Sequence, residues 1–123
     1  NPMSMLTGAM LRMTNVKTVG LCHSVQVCAS TLLTELGMEY DDTVQWKIAG
    51  INHQAWLLEL TKDGKDLYPE VKKRALEKNA TEKHGDMVRL EMMKRFGYYV
   101  TESSEHNAEY LPFFTKDKWW ARA

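Results

Sequence analysis

The sequence predicts a mixed α/β fold, more closely an α+β fragment. Three observations predict it. Two period-two runs, TVQWKIAGI from Thr43 and AWLLELT from Ala55, stand close together in the chain. Stretches on either side carry apolar residues at three-to-four spacing. Strand and helix alternate too rarely for a complete doubly wound sheet.

The elements follow in order. Met5, Leu6, Ala9, Met10 and Met13 share one face of a helix over residues 4–13, with Pro2 suited to its first turn. KTVGLC, residues 17–22, reads as a short buried strand. Val25, Cys28, Leu32, Leu33 and Leu36 line one face of a single helix over 24–36, and Gly37 suits its stop. The two alternating runs are strands, and Lys62-Asp63-Gly64-Lys65 after them is a turn. The chain turns helical from about Pro69, and residues 79–85 form a polar linker. DMVRLEMMKR, residues 86–95, is a helix whose acid and bases match its dipole. FGYYVT is extended, and Ser103 or Ser104 caps a last helix that ends before Pro112. The eight methionines read as core filler.

Composition excludes several function classes. The chain has 123 residues, enough for one domain with a real core. Sixteen basic and sixteen acidic side chains cancel, and nucleic-acid binding calls for a basic excess. No apolar run reaches the roughly 18 residues of a membrane helix. Two cysteines are too few for a disulfide scaffold and suit a reducing, cytoplasmic setting. The chain opens on Asn1-Pro2-Met3 and closes on Trp119 and Trp120 with little after them. Both ends read as cut, as expected of a fragment of a longer enzyme, and the bland alternative is a processed small domain.

Three clusters carry chemistry. Cys22 and His23 adjoin in GLCHSVQ. Asn52 and His53 follow a strand in GINHQAW. Glu102, Glu105, His106 and Glu109 crowd TESSEHNAEY. A thiolate and an imidazole from separate loops suit a borderline transition metal. Cys22 and His53 are 31 residues apart, too far for a zinc-finger hairpin. Two such ligands leave positions open for a chelating substrate. The bland reading is a small buried cysteine and a hydrogen-bonded histidine. Cys28 lies on an apolar helix face and reads as core. His84 falls in the polar linker and reads as solvated.

NPM, VGLCHSVQ, AGINHQAW and VRLEMMKRFGYYVTESSEHNAEYLPFF resemble, in this order, motifs of the family-four glycoside hydrolases. The tetrapeptide Cys22-His23-Ser24-Val25 resembles the form in the melibiase-type α-galactosidases of that family. The resemblance implies a partial catalytic domain over residues 1–123, similar to the start of the C-terminal domain of lactate and malate dehydrogenases. A dinucleotide-binding domain would precede it, and a further part would follow. The implied activity is hydrolysis of α-galactosides with NAD and Mn²⁺ as cofactors. NAD⁺ takes hydride from C3 of the sugar, a base removes the C2 proton, and the aglycone leaves from C1. Such hydrolases depart from the usual two-carboxylate scheme.

The resemblance assigns residues as well. Cys22 and His53 match the metal ligands. Asn1 matches a residue near sugar and nicotinamide, and His23 and Asn52 are placed to touch substrate. Where some relatives use a Tyr and others an Asp as base, this chain offers Tyr98, Tyr99, Glu102 and Glu105, of which Glu102 or Tyr99 is the expected one. An α-glucosidase or α-galacturonidase of the same family is the alternative. A noncatalytic interaction domain is the alternative from another class. The full-length enzyme is expected to be a homo-oligomer and to bind neither nucleic acid nor membrane. Without a dinucleotide-binding half, Met5, Leu6, Met10 and Val19 to Leu21 would be uncovered.

Overall fold

A computed structural model describes residues 3–116 of the chain. The elements are α1 (Met3–Met13), α2 (His23–Gln26), α3 (Cys28–Glu35), β1 (Val44–Ile51), β2 (Gln54–Lys62), β3 (Lys65–Asp66), α4 (Tyr68–Thr81), α5 (Met87–Phe96), β4 (Tyr99–Val100) and α6 (Ser104–Tyr110). Every strand pairing is antiparallel, and β2 is the centre of the sheet. β1 follows one edge of β2. On the other edge β4 pairs at Trp56 and Leu57, and β3 pairs at Thr61 and Lys62. The fold is thus α+β, as expected.

Alternation changes phase within β2. Ala55 and Leu57 face inward, and so does Leu60, because the register slips between Lys47 and Ile48 of β1. Such a bulge adds one residue to one strand and bends the pair. The larger core cluster joins Leu32 and Leu33 of α3, Leu57 and Leu60 of β2, Val71 of α4, Leu90 of α5 and Tyr99. Burying each aliphatic side chain contributes about 1.5–3 kcal/mol. A second cluster holds Val88, Met92, Val100, Ala108 and Phe114.

Side chains close what the backbone leaves open. The Tyr68 hydroxyl donates to the Leu57 carbonyl and accepts the Tyr99 N–H at 3.2 Å. Buried Arg89 donates to the carbonyls of Val100 and Thr101. These bonds pin β4 and the turn after it.

Several local expectations are corrected. Residues 17–22 form no strand. Val19 and Leu21 are exposed, and hydroxyls satisfy the backbone nearby: Thr14 Oγ1 accepts the Val16 N–H and Thr18 Oγ1 donates to the Val16 carbonyl. The single helix over 24–36 is two, broken at Val27, whose ψ is −3°. There the Ser30 hydroxyl takes the Val27 carbonyl at 3.0 Å, a back-bond that bends helices. Gly37, at φ 63°, ends α3 in a Schellman arrangement. Its N–H reaches the Thr34 carbonyl and the Met38 N–H the Leu33 carbonyl. α4 extends through Thr81 into the expected linker.

His84 is not solvated. Nδ1 accepts the Asp86 N–H at 3.2 Å and Nε2 meets Asn79 Oδ1 at 2.9 Å. Burial, with Lys78 nearby, holds its pKa below the ordinary value. The methionines divide: Met87, Met92 and Met93 are core, whereas α1 has no buried residue and exposes Met5, Met10 and Met13. That exposure, with Leu6, is the one expected of an uncovered α1. Asn1, Trp119 and Trp120 lie outside the described residues.

Candidate functional site

The hairpin of β1 and β2 turns on two residues, Asn52 and His53, between the paired Ile51 and Gln54. A turn this tight needs positive φ, and His53 supplies it at 61°. Asn, Asp and His are the non-glycine residues that tolerate this region best. Gly50 makes the approach possible. A Cβ there would lie 2.5 Å from Ala55 Cα and from the Gln54 carbonyl oxygen, at φ 139°. The hairpin mouth therefore requires glycine, and the turn lifts the His53 ring to the tip, with 42% of its side chain exposed.

The turn between β4 and α6 meets this tip. Glu102 Oε2 stands 3.3 Å from His53 Nε2, and only 13% of the Glu102 side chain is exposed. Oε1 accepts the Ser103 N–H at 2.8 Å. Ser103 caps α6 through the His106 N–H, and its hydroxyl lies 3.1 Å from His106 Nδ1. The His106 ring then stands edge-on to His53 at 6.2 Å and to Tyr110 at 6.3 Å. Buried Asn107 donates to the carbonyls of Glu102 and Ser103, both at 2.8 Å. The Thr101 N–H bonds the Ala55 carbonyl at 2.9 Å, so the rim is fastened to β2 two residues after His53.

Cys22 makes none of these contacts. Half-buried and free of disulfide, it immediately precedes α2, with Sγ 3.0 Å from Ser24 Oγ. His23 begins α2 and is exposed, as is Asn52. No hydrogen bond, ion pair or ring contact joins Cys22 to His53. Among the described residues, no three His, Cys, Asp or Glu side chains are grouped to hold a metal ion. The donor chemistry nevertheless fits an open, borderline ion. It offers one accessible thiol and one imidazole whose second nitrogen already faces a carboxylate. For a dinucleotide these residues do not fit, since no glycine-rich turn leads a strand into a helix here.

The two base candidates separate. Tyr99 is fully buried, and its hydroxyl donates to Asp86 Oδ2 at 2.5 Å. Arg89 stacks 4.1 Å from its ring centroid. Burial, reinforced by the Asp86 charge, holds the phenol well above its ordinary pKa. Tyr99 thus occupies a core position with no face toward a substrate, and of the two only Glu102 stands at the rim. Sequence reasoning placed His106 in the TESSEHNAEY cluster without joining it to His53, and passed over Tyr110 as part of this group. Their spacing from Ser103, once that residue is the N-cap, was the available signal.

Comparison with known proteins completes the description. The family model for a family 4 glycosyl hydrolase matches residues 1–38, and that for the family 4 glycosyl hydrolase C-terminal domain matches residues 48–122. An α-galactosidase of Bacillus subtilis (strain 168) is 69% identical over 116 residues, 94% of this chain and 26% of that protein. An α-galactosidase of Rhizobium meliloti (strain 1021) is 37% identical over 116 residues, 94% of this chain and 24% of that protein. An α-galacturonidase of Thermoanaerobacter italicus is 25% identical over 134 residues, 93% of this chain and 29% of that protein. The fold is similar to that of lplD from Bacillus subtilis, a candidate glucosidase. The TM-score is 0.75 at 22% identity, over 98% of this chain and 33% of that one. The chain thus spans about a quarter of the length of the curated relatives it matches. With one family model covering well over half of its residues and the other its first helices, the chain belongs to family 4 of the glycosyl hydrolases.

Proposed function

We propose that this chain is the metal- and sugar-facing part of the catalytic domain of an α-galactosidase that works by NAD-dependent oxidation and elimination. The observation that carries the reading is the 69% identity to the Bacillus subtilis α-galactosidase across nearly the whole chain. The tetrapeptide Cys22-His23-Ser24-Val25 supports the galactosidase branch. The α-galacturonidase alternative has only the 25% relative behind it.

In this reading Cys22 and His53 hold a Mn²⁺ ion. When bound, the ion would supply a Lewis acid toward the sugar's C2 and C3 oxygens, and NAD an oxidant for C3. A thiolate is an unusual partner for so hard an ion, and it makes the site sensitive to oxidation. The chain's own residues do the placing. The two-residue hairpin presents the His53 imidazole, and the start of α2 presents the Cys22 thiol. Exposed His23 and Asn52 are free to bond sugar hydroxyls. NAD is a cofactor of the whole protein, with Asn1 the residue of this chain proposed near it. A homo-oligomeric, cytoplasmic enzyme completes the proposal.

The test is made on the full-length protein. An aryl α-galactoside should be cleaved only with NAD⁺ and Mn²⁺ present, and the galactose formed in D₂O should carry deuterium at C2. Cys22→Ser and His53→Ala should each lose most of the activity. Full turnover after NAD is stripped, or preference for an α-galacturonide, would overturn the proposal.

A further inference from the structure

We infer that Glu102 is a positioning residue for His53: its carboxylate fixes the imidazole so that one ring nitrogen is left for a metal ion. The inference rests on the proposed ligand role of His53. Three features lead to it. First, Oε2 faces His53 Nε2 at 3.3 Å while Oε1 is taken by the Ser103 N–H at 2.8 Å. Both oxygens are thus turned on protein groups. Each oxygen keeps a further lone pair, so this arrangement gives Glu102 a positioning role beside the role of base expected of it.

Second, the carboxylate is anchored well beyond what an exposed ion pair would need. The carbonyls of residues 102 and 103 are both held by Asn107, itself fully buried. The preceding Thr101 is held from one side by Ala55 and from the other by Arg89. Third, His53 needs such a guide. It sits at the tip of a two-residue turn at φ 61°, with a substantially exposed ring. A histidine that binds a metal commonly donates its other ring N–H to a carboxylate, which fixes the tautomer and the ring orientation. Glu102 and His53 bring those two groups to 3.3 Å as an ion-pair contact, and the ring N–H would complete the bond once the ion holds the opposite nitrogen. The nitrogen facing Glu102 carries the proton, and the remaining nitrogen is the one offered to the ion.

The experiment is Mn²⁺ titration of the full-length protein by electron paramagnetic resonance, without substrate. Loss of the carboxylate, in Glu102→Ala or the bulkier Glu102→Leu, should weaken Mn²⁺ binding about 10–100-fold. Glu102→Gln keeps an oxygen that can accept the ring N–H, and should bind within a few-fold of the parent. If Gln falls as far as Ala, Glu102 is itself a ligand and the inference is overturned. If Ala and Leu both bind like the parent while His53→Ala does not, the inference alone fails. If His53→Ala also binds like the parent, the ligand role proposed for His53 fails, and this inference with it.

Discussion

Replacing Tyr99 by Phe removes one oxygen and leaves the ring where it is. The missing hydroxyl donates to Asp86 Oδ2 at 2.5 Å inside the core. Asp86 is not left bare, because Arg89 Nη1 stands 3.3 Å away and the Ser104 hydroxyl 3.5 Å away. A hydrogen bond to a charged group contributes about 1.5–3 kcal/mol. With the guanidinium still in place, the loss should fall toward the lower part of that range, about 2 kcal/mol. Burial already pushes the Asp86 carboxyl above its ordinary pKa, and the Tyr99 hydroxyl opposes that push. Removing the hydroxyl therefore raises Asp86 further. A carboxyl raised in the folded state costs stability once it is charged, so the Phe penalty is greatest at neutral pH. It shrinks as acid protonates Asp86. The assay pairs denaturant unfolding of the full-length protein with α-galactoside turnover per mole of folded enzyme. Stability should fall by about 2 kcal/mol, and turnover should stay within a few-fold of the parent. Loss of a proton-abstracting group costs about 10²–10⁴-fold. A fall of that size with unchanged unfolding would refute the core assignment of Tyr99.

Two further outcomes follow from the hairpin and its far end. Gly50→Ala should cost more than about 1 kcal/mol and weaken Mn²⁺ binding by the full-length protein, since its Cβ would press on Ala55 and Gln54. Gly64→Ala, in a turn with no atom within 4 Å of the new Cβ, should leave Mn²⁺ binding unchanged, and equal effects from the two would refute the close-approach argument. Asp41 is held down to about 2 from the ordinary 3.8 by Lys62 and Thr43. Its contribution is complete above its unfolded pKa and is lost as pH falls from about 3.8 to about 2. Asp41→Asn should flatten the acid limb of the unfolding midpoint in that window, and an unchanged limb would count against it.

Periodicity located the elements that lean on their own side chains. α1, the two hairpin strands, α5 and α6 stand within a residue or two of the expected positions, because one apolar face or one cap decides each. What failed depended on partners. Residues 17–22 are apolar enough for a strand, but the described residues offer no neighbouring strand to take their N–H and C=O groups. The break at Val27 is a change of backbone angle, ψ −3°, beside a serine hydroxyl that bonds the same carbonyl, and an apolar pattern registers neither. His84 sits in a polar stretch and is buried by the chain folding over it. At the site, residue types pointed to His53 and to the TESSEH turn, but not to how they meet. That Glu102 faces His53 while Tyr99 faces Asp86 is a matter of strand phase and burial, and no local spacing encodes it.

The Tyr68 hydroxyl between β2 and β4 has a consequence for alignment. A two-residue strand such as β4 carries too few rungs to fix its own register. The phenol supplies the missing reference, receiving the Tyr99 amide and passing to the Leu57 carbonyl. A slip of one residue would bring the wrong amide to that oxygen and turn a buried ring outward. Tyr68 therefore acts as an index pin. The first residue of a helix, 31 positions before Tyr99, counts β4 into phase, and with it the placement of the carboxylate that meets His53.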